Sequence, residues 1–280
     1  MVPNLASASS NALNGATKVS ANANATFAQA HVINGANATV ANTSYSISDT
    51  AAAFTAYQGT GSHTAATYRH ASSVIVTGEI THTQATSLLT EGSSNNASVT
   101  LGTVTGNAAQ TSALTLGTND SISELKVAGN TSVPQAKLIA ARATTYSYAL
   151  VDDVADLVGA GTSILNAATS ITSSDRVTLE QSRTLDAATS SDANTVFEIT
   201  DTASNVLSAT AAELARGNTN NNTINLLDTS LSASVVTQLR AKDAANNPVE
   251  GVGGFLINTN AVSSPKLLII NLPKEFIFNL

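Results

Sequence analysis

The sequence lacks cysteine and tryptophan, and aromatic residues fill only 4% of its 280 positions. The absence of cysteine excludes a disulfide framework, a thiolate nucleophile and a thiolate metal site. Apolar residues still reach 42%, which is enough for a packed core, but they are mostly Ala, Val, Leu and Ile. Any core is therefore thin and built from small side chains.

Charged residues are also scarce, at 11% against roughly 25% in an average soluble domain. The net charge is −7, and the 12 Lys and Arg residues are scattered singly, so no basic stripe is present that would neutralise phosphates. This composition argues against a nucleic-acid partner. Before position 119 the charged residues are Lys18, Asp49, Arg69, Glu79 and Glu91.

Long hydrophobic runs are missing as well. The longest, at 267–270, is far short of the ~20 residues that cross a bilayer, so we expect no membrane span. The first residues, MVPNLASASSNALNG, have neither the basic nor the apolar region of a signal peptide. We therefore expect export by a distal signal, or a chain that is part of a longer protein.

Two short patterns alternate along the chain. The first reads Ser/Thr-x-x-Gln, then a small residue, with an aliphatic residue four positions after the Gln. In such a capping box the hydroxyl accepts a hydrogen bond from the Gln backbone N–H, and the Gln side chain accepts one from the cap residue's own N–H. Four helix starts are therefore predicted, at Thr26/Gln29, Thr81/Gln84, Ser132/Gln135 and Thr178/Gln181, with successive Gln residues 55, 51 and 46 apart.

The second pattern is an apolar residue followed by alternation and an Asp four positions later. It occurs at 45–49, 148–152, 197–201 and 224–228, and in weaker form at 116–120 and 171–175. The alternation predicts a short strand with one buried face, and the Asp is interpreted as the cap of the helix that follows. Apolar residues recur at helical spacing over 154–165 after Asp152, and at Leu207, Ala211 and Leu214 after Asp201.

The spacing of these strands indicates the fold class. From position 148 the strand starts Tyr148, Ile171, Phe197 and Ile224 lie 23, 26 and 27 residues apart. That period is typical of leucine-rich-type coils of one strand and one helix. We expect an α/β repeat solenoid of strand–helix units that stack into a rod, because no unit buries its apolar face alone. The alternative is an all-β parallel β-solenoid.

The N-terminal half is predicted to be richer in strands, because Thr/Val alternation with Gly runs through 71–118, at 74–78, 99–103 and 114–118. The predicted organisation is a lead segment at 1–25, degenerate β-rich repeats at 26–130, strand–helix repeats at 131–247 and a cap or tail at 248–280. The last segment differs in composition, since half of the phenylalanines follow Gly254.

Segments such as Phe197-Glu-Ile-Thr-Asp201-Thr-Ala203, followed by a capped Ala-rich helix, resemble the long repeat-containing surface proteins of bacteria, adhesin-like or S-layer-like. The resemblance covers about 130–245 well and 26–90 poorly, and no binding residue transfers from it. It implies an extracellular or cell-surface, structural or adhesive repeat segment without catalytic activity. Its partners would be adjoining repeats, further copies of itself or cell-surface polysaccharide. A carbohydrate- or calcium-binding module of an adhesin is the alternative.

Few residues suggest a site. The histidines His31, His63, His70 and His82 do not form a ligand pair at helical spacing, and the segment 58–63 is interpreted as a turn because no Lys completes a phosphate loop. Seven Asn residues stand in N-x-Ser/Thr sequons that such a composition produces by chance: Asn24, Asn37, Asn42, Asn96, Asn119, Asn130 and Asn221.

Two further arrangements are weighed. Asp152, Asp153 and Asp156 form the densest acidic group, but no calcium-loop pattern surrounds them, so no metal and no cofactor is predicted. The pairs Thr81/Thr83 and Thr103/Thr105 would align hydroxyls on a strand face, as ice-binding solenoids do, yet two pairs are too few for a ladder. No catalytic triad, paired carboxylates or cofactor motif indicates an enzyme.

Overall fold

The computed structural model describes residues 7–9, 12–13, 16, 18–21, 23–36, 43–59, 65–188, 195–216, 224–228 and 231–246. Within these ranges short strands alternate with short helices, and neighbouring strands pair in parallel. The predicted α/β class is confirmed. The all-β alternative is wrong, because helices connect the strands. Among the helices in the described ranges, none has the length and apolar character needed to cross a bilayer.

The chain divides into two compact units. The first comprises Met1–Gly129 and Pro134–Ser147, and the second comprises Asn130–Val133 and Tyr148–Leu280. In the first unit the strands are β1 (Val19–Ser20), β2 (Thr43–Thr50), β3 (Ala71–Thr81), β4 (Ser98–Asn107) and most of β5 (Ser121–Thr131). Its helices are α1 (Phe27–Ala36), α2 (Ala51–Gly59), a 3-10 turn (Ala65–Tyr68), α3 (His82–Ser94), α4 (Ala108–Ala113) and most of α5 (Val133–Ala140).

Strands β1 to β5 lie side by side in the order of the sequence. Parallel neighbours joined by right-handed crossovers in this order place their helices on one face of the sheet. The burial pattern agrees, because alternate strand residues are buried and α2, α3 and α4 pack against β3 and β4. The segment 71–118, predicted to be rich in strands, contains the 11-residue β3 and the 10-residue β4 together with the helices α3 and α4.

The buried strand residues form aliphatic rows that run across the sheet. One row is Val76, Leu101 and Ile122, and a second is Ile80, Val104 and Leu125, each no more than 2% exposed. Burying a side chain of this size stabilises the fold by about 1.5–3 kcal/mol. The low aromatic content is thus compensated by rows of branched side chains in register.

The few aromatic residues of the first unit are concentrated at one place. The rings of Phe54, Tyr57 and Tyr68 lie 4.9, 6.0 and 6.2 Å from the ring of Phe27. These four residues, which we call the aromatic cluster, fill the space between α1, α2 and the 3-10 turn. Phe27, Phe54 and Tyr68 are completely buried.

The second unit contains the end of β6 (Ala143–Asp152), which begins in the first unit, and shorter strands. Strands β6, β7 (Ala168–Ser173) and β8 (Thr195–Val196) are consecutive neighbours, and β9 (Thr200–Asp201) pairs with β10 (Asn225–Leu226). Its helices are α6 (Val154–Val158), α7 (Thr162–Asn166), α8 (Leu179–Ala188), α9 (Ala203–Ser208), α10 (Ala211–Arg216) and α11 (Ala233–Asn246).

Two predictions of local structure are wrong. The apolar face at 154–165 does not form one helix, because Gly161 adopts a φ of 88° and separates α6 from α7. The segment 114–118 differs from 99–103 only at its first residue, Leu114 in place of Val99, but forms no strand. There the carboxylate of Asp120 accepts the N–H of Gly117 at 2.7 Å and bends the chain before β5. The predicted cap or tail at 248–280 lies outside the described residues.

Candidate functional site

Three of the four predicted capping boxes form as predicted, at Thr26, Thr81 and Thr178. At Thr26 the hydroxyl accepts the N–H of Gln29 at 3.2 Å, and the Gln29 side chain accepts the N–H of Thr26 at 3.0 Å. The same reciprocal pair starts α3 at Thr81 and α8 at Thr178. Helix α5 begins at Val133, directly after the fourth predicted cap, Ser132. These Gln residues serve helix starts, and no ligand role is needed to explain them.

The structure adds two boxes that the Ser/Thr-x-x-Gln pattern misses. Asn107 and Gln110 form one at the start of α4, and Thr210 and Glu213 form another before α10. Each differs from the searched pattern by one residue type with equivalent hydrogen-bonding chemistry. A search for any Ser, Thr or Asn followed by Gln or Glu three residues later would have found both.

The strand-end aspartates contact the helix of the preceding strand–helix repeat, not only the residue that follows them. In four places one carboxylate oxygen accepts the first helical N–H about twenty residues earlier in the sequence. The pairs are Asp49 with Phe27, Asp152 with Val133, Asp201 with Leu179 and Asp228 with Ala203, at 3.2, 2.8, 2.9 and 2.5 Å. We call these contacts carboxylate junctions, because each joins the start of one helix to the end of the next strand.

The second carboxylate oxygen turns toward the next residue of its own chain segment. In Asp49 this oxygen accepts a hydrogen bond from the N–H of Thr50 at 2.9 Å, and in Asp201 it accepts one from the N–H of Thr202 at 2.8 Å. The prediction that Asp201 caps the following helix is therefore wrong by one residue, since Thr202 is the N-cap of α9. The same correction applies at α6, where Asp153 and not Asp152 is the N-cap.

Asp201 is the most enclosed of these carboxylates, at 4% exposure. Besides the N–H groups of Leu179 and Thr202, it accepts a hydrogen bond from the Asn205 side chain at 2.7 Å. Three donors compensate the cost of burying the charge. Such an arrangement is structural, because its oxygens are already engaged within the fold.

The acidic group Asp152, Asp153 and Asp156 does come together, with ligand atoms within 4.8 Å of one another. Among the described residues it is the one group of three or more potential ligands. However, Asp152 accepts the N–H groups of Val133 and Asp153, and Asp153 accepts the N–H of Asp156. Helix capping explains the geometry of these carboxylates without a metal ion.

The histidines are not brought into one site. His31 lies on α1 with its ring 6.0 Å from that of Tyr57, His70 precedes β3, and His82 is the first residue of α3. His63 and most of the segment 58–63 lie outside the described residues. The sequons at Asn24, Asn96, Asn119 and Asn130 are all exposed, and those at Asn37, Asn42 and Asn221 are outside the described ranges.

The solvent-facing side of the sheet in the first unit carries mainly hydroxyl groups. Many of them bond to the neighbouring strand, as Ser72 does to the carbonyl of Tyr45 at 3.1 Å and Thr144 to that of Ser123 at 2.9 Å. Lys126 crosses this face and contacts Glu79 at 3.2 Å. These hydrogen bonds connect neighbouring strands. Because most side chains on this face are uncharged and Lys126 is paired with Glu79, the face is close to electrically neutral.

The two Thr-x-Thr pairs of the sequence differ in the structure. Thr103 and Thr105 share one face of β4, whereas Thr83 lies in α3, so Thr81 and Thr83 form no strand pair. The hydroxyl of Thr103 donates to Glu124 at 2.8 Å, and that of Thr105 donates to the carbonyl of Ile80 at 3.3 Å. The donors of this one pair are thus used inside the protein.

Burial and ion pairing change the acidity of a few groups. Burial raises the pKa of Tyr45 and of Tyr68, and the neighbouring Glu91 raises the pKa of Tyr68 further. The hydrogen bond from Arg183, followed by those from Thr210, lowers the pKa of Glu213 to about 2. The Arg183–Glu213 ion pair, at 2.6 Å, links α8 to α10.

No protein-family model, no curated protein and no solved structure matches this chain.

Proposed function

We propose that this chain is a structural or adhesive strand–helix repeat segment of an extracellular surface protein, without catalytic activity. The observation that carries the proposal is the carboxylate junction, which recurs with the same chemistry at Asp49, Asp152, Asp201 and Asp228. A device that joins consecutive strand–helix units in this way is what a repeat protein requires, because each unit is stabilised mainly by its neighbours.

The composition supports the same proposal. Polarity comes from Ser, Thr and Asn and not from charge, and the sheet face of the first unit is satisfied by its own hydrogen bonds. The carboxylates with the closest spacing serve as helix caps. The partners that fit are adjoining repeats or further copies of the chain, as in the bacterial surface proteins that the sequence resembles.

Small-angle X-ray scattering of the full chain tests the solenoid. A compact globule of 280 residues has a radius of gyration near ~19 Å, so the solenoid requires a clearly larger value and a skewed distance distribution. The measurement is made at several protein concentrations, because self-association also raises the radius. A concentration-independent value near ~19 Å contradicts a solenoid.

A further inference from the structure

His70 lies where the 3-10 turn passes into β3. Its Nε2 atom is buried and has no hydrogen-bond partner among the described residues. Its backbone carbonyl accepts the N–H of Tyr45 at 3.4 Å, a long bond at the point where β3 first pairs with β2. A polar ring nitrogen without a partner among the described residues therefore stands beside a long hydrogen bond at the start of the β2–β3 pairing.

The surroundings of His70 favour its neutral form. His70 lies between the 3-10 turn and β3. Helices α1 and α3 pack against the turn, α2 packs against β3, and β2 and β4 pair with β3. Burial and the adjacent Arg69 lower the pKa of His70, and no carboxylate opposes them. The titratable and charged groups on these elements are Tyr68, Arg69, His31, His82, Glu91, Tyr57, Tyr45, Asp49 and, on β3, Glu79.

The turn that precedes His70 belongs to the core of the first unit. Its Tyr68 is completely buried in the aromatic cluster, and the carbonyl of Thr67 accepts hydrogen bonds from Asn34 at 2.7 Å and Tyr45 at 3.2 Å. The hydroxyl of Thr67 also bonds that of Tyr57 at 3.0 Å. A shift of His70 is thus transmitted to the polar contacts that hold the aromatic cluster in place.

We propose that His70 is an acid-sensitive latch, and that its protonation releases the start of β3 and loosens the aromatic cluster. A protonated ring would carry an N–H donor at Nε2, which has no hydrogen-bond partner among the described residues, next to the positive charge of Arg69. The ring must then turn toward water, which pulls on the bond between the His70 carbonyl and Tyr45. Because the neutral form is favoured only in the folded state, stability is constant above the unfolded pKa and falls as the pH drops below ~6.5.

The test compares thermal unfolding of the wild type, His70→Gln and His82→Gln between pH 8 and pH 4.5, followed by the near-ultraviolet circular dichroism of tyrosine. The wild type is expected to lose roughly 2–4 °C in melting temperature between pH 6.5 and pH 5, beyond any slope seen above pH 6.5. His70→Gln should lose this step because glutamine does not titrate. His82→Gln should keep it, since His82 begins α3 and its ring faces Thr86 at the surface.

A second measurement uses the wild type alone and does not depend on a folded variant. Two-dimensional NMR of the four imidazoles follows each ring against pH, with His70 assigned through its sequential connection to Arg69. Titration of His70 below ~6.5, together with shifts of the Tyr45 amide in the same range, supports the latch. Titration at or above ~6.5, or an acid step that survives in His70→Gln, overturns it.

Discussion

Two kinds of junction join the start of a helix to the strand that follows that helix. They differ in which residue of the strand lies against the first residue of the helix. In a carboxylate junction, an Asp at the strand end accepts the first N–H of the preceding helix. At α2 and α3 the residue that approaches the helix start is a glycine. A Cβ at Gly78 would lie 3.5 Å from the Cβ of Ala51, and one at Gly106 would lie 3.1 Å from that of His82.

In the first unit, the place where each strand ends accounts for the difference. In register, Asp49 of β2 stands beside Val76 of β3, Leu101 of β4 and Ile122 of β5. Strand β2 ends one residue after Asp49, whereas β3 continues to Thr81. A carboxylate is therefore used where a strand stops at a helix start, and an aliphatic residue where the strand runs on. The first kind gains stability from hydrogen bonds and the second from buried area.

The largest effect is expected for Asp201→Ala. The substitution leaves the N–H groups of Leu179 and Thr202 and the side chain of Asn205 without their acceptor in a site only 4% exposed. We expect a loss of about 3 kcal/mol in the free energy of unfolding, measured by urea denaturation. Asp175→Ala is the matched control, because Asp175 follows the weaker strand pattern and is exposed. Equal losses in the two variants would remove the carboxylate junction as a stabilising device.

A glycine between the long strands should be nearly as intolerant. A Cβ at Gly102 would lie 2.7 Å from the carbonyl oxygen and 3.0 Å from the nitrogen of Gly78, and backbone atoms cannot move aside as a flexible side chain can. We expect Gly102→Ala to cost about 2 kcal/mol. Gly35→Ala, at an exposed helical position with nothing within 4 Å, should be neutral or stabilising by up to ~1 kcal/mol. A tolerated alanine at position 102 would show that β3 and β4 do not need this close approach.

The smallest effect on stability is expected at the small buried residue that follows the Gln of each capping box, a position found in helices of both junction types. The residue after the box Gln is a fully buried alanine in α1, α3 and α5, at Ala30, Ala85 and Ala136, but it is Ser182 in α8. The hydroxyl of Ser182 is buried without a partner among the described residues. We expect Ser182→Ala to stabilise the protein by about 1 kcal/mol in calorimetry, with Ser204→Ala, at an exposed helical position, as the control without effect. A destabilised Ser182→Ala would mean that α8 packs differently from the other helices.

The parts of the fold that depend on neighbours in sequence were predictable, and those that depend on register were not. The boxes at Thr26, Thr81 and Thr178 join residues that are three positions apart, so the local sequence alone predicts their hydrogen bonds. The partner of Asp201 is Leu179, 22 residues earlier, and it becomes visible only once the strands are aligned. The sequence pattern therefore relates Asp201 only to the helix that follows it, whereas its carboxylate also joins the start of the preceding helix.

Two nearly identical segments also adopt different conformations. Residues 99–103 form part of β4, while 114–118 form no strand, because Asp120 holds the N–H groups of both Gly117 and Val99, at 2.7 Å each. Contact with a residue outside the motif decided the conformation. The buried Nε2 of His70, which has no partner among the described residues, was likewise beyond sequence reasoning, since nothing in the neighbouring letters distinguishes His70 from His82.

Where it occurs, the carboxylate junction fixes two points of a strand–helix unit and leaves the stretch between them free to vary in length. The donor and the acceptor are 22 residues apart at Asp49, 19 at Asp152, 22 at Asp201 and 25 at Asp228, yet the bond is the same. Insertions and deletions between a helix start and the next strand end therefore leave the joint intact. Strand–helix units of unequal length can therefore share the same joint, and this allows so irregular a sequence to keep a regular order of strands.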